Sequence, residues 1–192
     1  YRRPPVDGLA TPLARRNTNG TWEDLDLTGL PEGATLTSCW ADGPNNLWVG
    51  VGLNRHGGLA FYDGTRTRLL RDDLPQAPGW MARQSDGRLW MSLSTGPDDE
   101  DSLWTYGEGE LSLVTGTPND IRYVHRLNDG TLYASAMAEV DGVSQRSLSR
   151  RDPRGTWSVV EPSEHVVELV GRGNEVWASL DRTERAWIRS CD

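Results

Sequence analysis

The residues Gly20-Thr21-Trp22 recur as Gly155-Thr156-Trp157, and a second landmark shows that the whole chain repeats. An aliphatic residue followed by an aromatic one returns at intervals of 42, 43 and 44 residues, as Leu47-Trp48, Leu89-Trp90, Leu132-Tyr133 and Val176-Trp177. Each pair lies in one of several short apolar runs separated by Gly, Pro, Asn and Asp. A period in the low forties with several strands per repeat is typical of β-propeller blades, which stack on one another to bury their faces.

The strand count indicates how such a ring would close. The first three repeats each contain four strand-length runs, whereas the last contains three and ends with Arg185–Ser190. The segment Thr21–Leu27 supplies the missing run, because Asn19-Gly20-Thr21-Trp22 has the same form as Arg154-Gly155-Thr156-Trp157. We therefore predict an all-β, four-bladed β-propeller with a four-stranded antiparallel sheet in each blade and the N-terminal strand completing the last blade. The alternative is half of a larger ring built from two chains, and the complementary termini favour the single ring.

The same pattern predicts the domain organisation. Residues 20–192 form one propeller domain, for which 192 residues are long enough. Residues 1–19, with Pro4-Pro5 and several arginines, are predicted to be an irregular arm that lies across the ring or stays mobile. They lack the apolar core of a signal peptide and begin at Tyr1, which indicates a mature or trimmed chain.

The repeat resembles a known family. Asn46-Leu47-Trp48-Val49-Gly50, followed by Gly58-Leu59 and Tyr62-Asp63-Gly64, is similar to the two-component-regulator propeller repeat and to the short-repeat propellers of bacterial secreted and sensory proteins. Asp86-Gly87 and Asp129-Gly130 carry the same turn before a strand, whereas the last repeat has lost it. The resemblance implies fold and repeat and carries over no catalytic residue. It favours a secreted or periplasmic bacterial protein.

Composition excludes several classes of protein. All 20 basic side chains are arginine, which points to a GC-rich genome and excludes Schiff-base and P-loop chemistry, since both need lysine. The net charge is −8 and no basic stripe is present, so nucleic acid is not expected as a partner. No stretch approaches the ~20 apolar residues of a membrane span, so membrane insertion is not expected either. We expect a monomer. Cys39, on an innermost strand, is expected to be buried and unpaired, and a disulfide bridge to Cys191 is the alternative.

Candidate binding residues lie in the loops that differ between repeats. The middle loop of each blade and the loops that join repeats share one face, because alternate turns of an antiparallel sheet lie at opposite ends. Non-repeating loops on a repeated scaffold usually carry the function. We therefore predict a non-enzymatic recognition module that binds a protein, peptide or glycan through seven loop residues: Arg55, His56, Glu139, Asp141, Asp181, Arg182 and Glu184.

Two further interpretations stay open. The acidic run Asp98, Asp99, Glu100 and Asp101 could hold Ca²⁺, although it lacks a specific calcium-loop spacing and a solvated turn is the simpler explanation. No cofactor is required. The alternative function is a propeller lyase or hydrolase in which His125 or His56 acts with a carboxylate such as Glu168, with or without a metal. No hydrolase or metalloprotease motif supports it.

Overall fold

The computed structural model describes residues 13–17, 19–43, 45–84, 86–94, 101–161, 166–172 and 175–180. Within them the chain forms sixteen β-strands, and every strand pair is antiparallel. The chain divides into two compact units, residues 1–79 and residues 80–192. In the part of the chain that is described, no helix is long and apolar enough to cross a membrane.

The first unit contains one complete four-stranded sheet and one short hairpin. The sheet follows chain order, with β3 (Thr35–Ala41), β4 (Leu47–Leu53), β5 (His56–Tyr62) and β6 (Thr67–Leu74). The hairpin pairs β1 (Ala14–Arg16) with β2 (Trp22–Asp24). The predicted arm is therefore not irregular throughout, because its residues 14–16 have an antiparallel partner.

The central strands of this sheet carry the core of the first unit. Val49, Val51 and Ala60 are fully buried and form a cluster with Ala34. Partly buried leucines cover this cluster, from the two ends of β4, from β3 and β6 and from the loops, namely Leu13, Leu30, Leu36, Leu47, Leu53 and Leu69. The continuous apolar run of β4 matches a strand covered on both faces.

The second unit contains two four-stranded sheets and one two-stranded sheet among its described residues. The first sheet comprises β7 (Trp80–Arg83), β8 (Leu89–Ser94), β9 (Asp101–Gly107) and β10 (Glu110–Leu113). The second comprises β11 (Asn119–Arg126), β12 (Leu132–Val140), β13 (Val143–Arg151) and β14 (Trp157–Glu161). A two-stranded sheet follows, with β15 (Val166–Arg172) and β16 (Glu175–Leu180).

These three sheets pack face to face. One core cluster joins Trp90 and Leu103 of the first sheet to Val124 and Leu132 of the second. Another joins Leu148 to residues of the two-stranded sheet, including Leu169 and Val176. Trp90 is 7% exposed, and Tyr133 packs against the second cluster. These two landmark aromatics therefore fill the space between sheets, as the repeat predicts.

The recurring glycines close tight turns. Gly87, Gly130 and Gly155 have φ values of 80°, 91° and 98°, in the left-handed region that glycine adopts without steric cost. In two of these turns the arginine four residues earlier folds back, since Arg83 Nε and Arg151 Nε donate to the carbonyl oxygens of Gly87 and Gly155 at 3.0 and 3.3 Å. These contacts give part of the arginine content a structural role.

The prediction of four-stranded antiparallel sheets is confirmed for the first three repeats. The predicted partner of Thr21–Leu27, Arg185–Ser190, lies outside the described residues. Two expectations are corrected. The predicted middle loop at Glu139 and Asp141 is reduced to the two-residue turn Asp141-Gly142, because β12 runs to Val140 and β13 starts at Val143. Cys39 is an exposed free thiol, not a buried one. Cys39 is exposed because β3 is an edge strand whose residues alternate between intermediate and exposed.

Candidate functional site

A concave site among the described residues lies at one end of the first sheet. β4 and β5 are joined by the two-residue turn Asn54-Arg55, and Leu53 pairs with His56 across it. The turn and two nearby segments border a shallow, solvent-open pocket of about 430 Å³. The residues around it are Gly33, Thr35, Gly52, Leu53, Asn54, Arg55, His56, Pro75, Gln76 and Ala77. The volume falls within the range of small-ligand pockets.

One wall of the pocket depends on a glycine. A Cβ on Gly57 would lie 2.0 Å from the carbonyl oxygen of Gln76, so the 75–77 segment packs directly on the backbone of β5. A Cβ on Gly52 would lie 2.5 Å from Thr35 Oγ1, which also lines the pocket. These close approaches explain why the sequence carries glycine at both positions.

The chemistry of the pocket is polar and cationic. Arg55 and His56 are both exposed on its rim, next to the amides of Asn54 and Gln76. Close by, Arg71 Nε and Nη2 bind the two carboxylate oxygens of Asp73 at 2.7 Å each. This contact lowers the pKa of Asp73 chiefly through the Arg71 hydrogen bond, and the charge of His56 lowers it further. Arg55 and His56, which are adjacent in the sequence, are the two predicted ligand-binding residues that line this pocket.

Two other predicted residues lie at the tip of a different hairpin. Glu139 is paired with Ser144 near the end of β12, and Asp141 lies in the two-residue turn between β12 and β13. Both are exposed, as is Val143, at 60%. Asp141 and Gly142 have φ values of 52° and 78°, which is the backbone of a tight Asp-Gly hairpin turn. Asp181, Arg182 and Glu184 lie outside the described residues.

Asp101, the described member of the acidic run, belongs to a charge network and not to an open acidic loop. It is the first residue of β9, and its carboxylate lies 3.8 Å from Arg122 Nε, which is also 3.3 Å from Asp120. The buried Arg146 donates to the Asp120 carbonyl oxygen at 2.8 Å and to its carboxylate. Burial lowers the pKa of Arg146, and the charge of Asp120 opposes that shift.

In the part of the chain that the structure describes, the residues predicted for metal binding or acid–base chemistry do not form a common site. Asp98, Asp99 and Glu100 lie outside the described residues. Among the residues that are described, no group of three or more His, Cys, Asp or Glu side chains is arranged to hold a metal. His125, on β11, belongs to the second unit, whereas His56 belongs to the first. For Glu168 only the backbone is described, paired with Ser179. The calcium site and the enzymatic alternative therefore stay predictions.

Sequence reasoning identified two pocket residues and missed the rest. Gly57-Gly58 was a visible signal, because paired glycines within a strand indicate a close backbone approach. The contribution of Thr35 and the 75–77 segment depends on the packing of residues that are about twenty or more positions from the turn.

Comparison with known proteins supports the fold. No protein-family model matches the chain, and no curated protein matches it. A solved structure described as YCF48 bound to D1 peptide is similar, with a TM-score of 0.58 and 15% sequence identity over 88% of this chain. The match covers 55% of that structure, so the chain spans about half the length of its structural neighbour. The chain therefore has a propeller-like fold, while its membership of the two-component-regulator repeat family stays a prediction.

Proposed function

We propose that this protein is a non-enzymatic recognition module that binds an extended peptide, or a peptide segment of a protein, at the pocket formed by the Asn54-Arg55 turn. The observation that carries the proposal is the position of this turn. It lies between two strands of a regular blade, yet it presents an arginine, a histidine and an amide around a cavity of about 430 Å³. A varied turn on a repeated sheet is where propellers place recognition.

Two further observations support a peptide ligand. The structural neighbour is described as bound to a peptide, which is a property of that protein and motivates the same class of ligand here. The pocket is also open to solvent and lined by the polar residues Thr35, Asn54 and Gln76, whose side chains can hydrogen-bond to the backbone of an extended chain. A glycan remains the competing ligand, because polar side chains and backbone groups serve both.

The test is a selection against both ligand classes. A displayed library of random peptides and a glycan array are screened with the protein and with the double variant Arg55→Gln/His56→Gln. Glu108→Gln/Glu110→Gln serves as the matched control, since it also changes an exposed turn residue and the exposed residue that begins the next strand. Peptides enriched by the protein and by the control, but not by the pocket variant, support the proposal. Glycan binding alone, or enrichment that all three proteins share, contradicts it.

We also propose that the chain forms a monomeric four-bladed ring whose last blade is completed by the N-terminal segment. The turn before β2 supports this, because Arg16 pairs with Trp22 as Arg151 pairs with Trp157 in the outer hairpin of the third blade. Deletion of residues 1–27 then exposes strand edges and lowers the unfolding temperature markedly. An unchanged unfolding temperature, or a dimer in the full-length protein, contradicts the proposal.

A further inference from the structure

The pocket carries positive charge without an acidic residue in its lining. Of the ten residues around it, Arg55 and His56 are the basic ones, and none is Asp or Glu. The nearby Asp73 carries its own counter-ion, because Arg71 binds both of its carboxylate oxygens at 2.7 Å. The charge of Asp73 is thus largely compensated by Arg71, which leaves Arg55 as the principal charge on the rim.

Arg55 is one of the described arginines that have no carboxylate partner. Other described arginines are in ion pairs, among them Arg15, Arg66, Arg68, Arg71, Arg122, Arg126 and Arg146. Arg55 forms no ion pair or hydrogen bond with any other described residue.

We propose, building on the recognition function above, that the pocket binds a carboxylate group of the ligand and that Arg55 is its counter-ion. A guanidinium presents parallel N–H donors that fit the two oxygens of a carboxylate, and such charge-assisted pairs are about twice as strong as neutral hydrogen bonds. Asn54 and Gln76 place amide donors on the same cavity. The carboxylate comes from an Asp or Glu side chain or from a chain terminus.

Three small probes separate these sources. N-acetylaspartate amide offers a side-chain carboxylate, N-acetylalanine offers a terminal one, and N-acetylasparagine amide has the first shape without the charge. Each is titrated into ¹⁵N-labelled protein while the Arg55 Nε–Hε signal is followed, with that signal assigned from Arg55→Gln. Arg88→Gln is the control, since Arg88 is an exposed arginine that does not line the pocket.

We expect at least one carboxylate probe to give a saturable shift, with a dissociation constant on the order of 10 mM for a single charge-assisted contact. The effect should weaken with added salt, persist in Arg88→Gln and be absent for N-acetylasparagine amide. The inference is overturned if the neutral probe shifts the Arg55 signal as much as the carboxylate probes do, or if neither carboxylate probe saturates. It is also overturned if the carboxylate probes shift the backbone amide signals of the pocket residues equally in Arg55→Gln and in the unmodified protein. If selected peptides still require the pocket in that case, the recognition function stands and the carboxylate site fails. If the carboxylate probes bind but no peptide does, the carboxylate site stands and the recognition function fails.

Discussion

Gly57 and the carbonyl oxygen of Gln76 approach so closely that no side chain fits between them: an added Cβ would lie 2.0 Å from that oxygen. Leu74, at the end of β6, pairs with Gly57, so the segment that follows passes directly over β5. The contact fixes one wall of the pocket, and it makes the pocket sensitive to a single methyl group.

We predict that Gly57→Ala displaces the 75–77 segment and destabilises the protein. Overpacking against a backbone atom costs roughly 1–3 kcal/mol, because the main chain must move. Urea unfolding measures the loss. Gly107→Ala is the control, since its added Cβ would meet only the flexible Arg88 side chain, at 3.1 Å. Equal free energies of unfolding for the two variants would show that the 75–77 segment can move to accommodate the methyl group without loss of stability.

The Arg146–Asp120 pair gives a second prediction. Asp120→Asn keeps a residue that tolerates its positive φ of 46° but removes the charge that faces a buried guanidinium. Loss of one member of a buried pair costs about 3 kcal/mol in the free energy of unfolding. The double variant Asp120→Asn/Arg146→Met should recover part of this loss, because no unpaired charge remains buried. If the single variant is as stable as the unmodified protein, water must solvate the charge of the Arg146 guanidinium in place of Asp120.

Acid stability should depend on Asp63. The Thr65 hydroxyl and the backbone N–H groups of Thr65 and Arg66 bind its carboxylate and lower its pKa from 3.8 to about 2. A folded-state pKa below the unfolded one gives stability that is fully present above about pH 4 and is lost as the pH falls towards 2. Asp63→Asn should weaken the pH dependence of the free energy of unfolding between about pH 4 and pH 2. Thr65→Val keeps the carboxylate but removes the hydroxyl, so the pKa of Asp63 should rise; an unshifted titration would refute this cause.

Cys39 should react readily in the folded protein. It is exposed and free on β3. In a Cys191→Ser variant, a thiol reagent should label the folded protein about as completely as the unfolded protein, and Cys39→Ser should abolish the signal. Labelling only after unfolding would show that the thiol is covered in solution.

Much of the fold could be predicted from the repeat, because strand positions follow from alternating apolar residues and from glycine turns such as Asp86-Gly87. The long β12–β13 hairpin could not. Arg146 interrupts the apolar pattern and is nevertheless buried, because Asp120 lies 26 positions away in sequence and beside it in space. The two-residue turn Asp141-Gly142 was the local signal for this hairpin.

The pocket was predictable only in part, for a similar reason. The exposed turn residues Arg55 and His56 could be identified because the turn differs from its counterparts in the other repeats. The opposite wall is made by backbone that packs on a glycine, and a hydrophobic pattern carries no information about such a contact.

The most direct test of the account is the dissociation constant of a selected peptide for the protein and for Arg55→Gln/His56→Gln, with unfolding curves recorded in parallel. The account predicts at least about tenfold weaker binding to the pocket variant, about 1.4 kcal/mol, at unchanged stability. Glu108→Gln/Glu110→Gln should bind as the unmodified protein does. Equal affinity of all three proteins would contradict the assignment of recognition to this pocket.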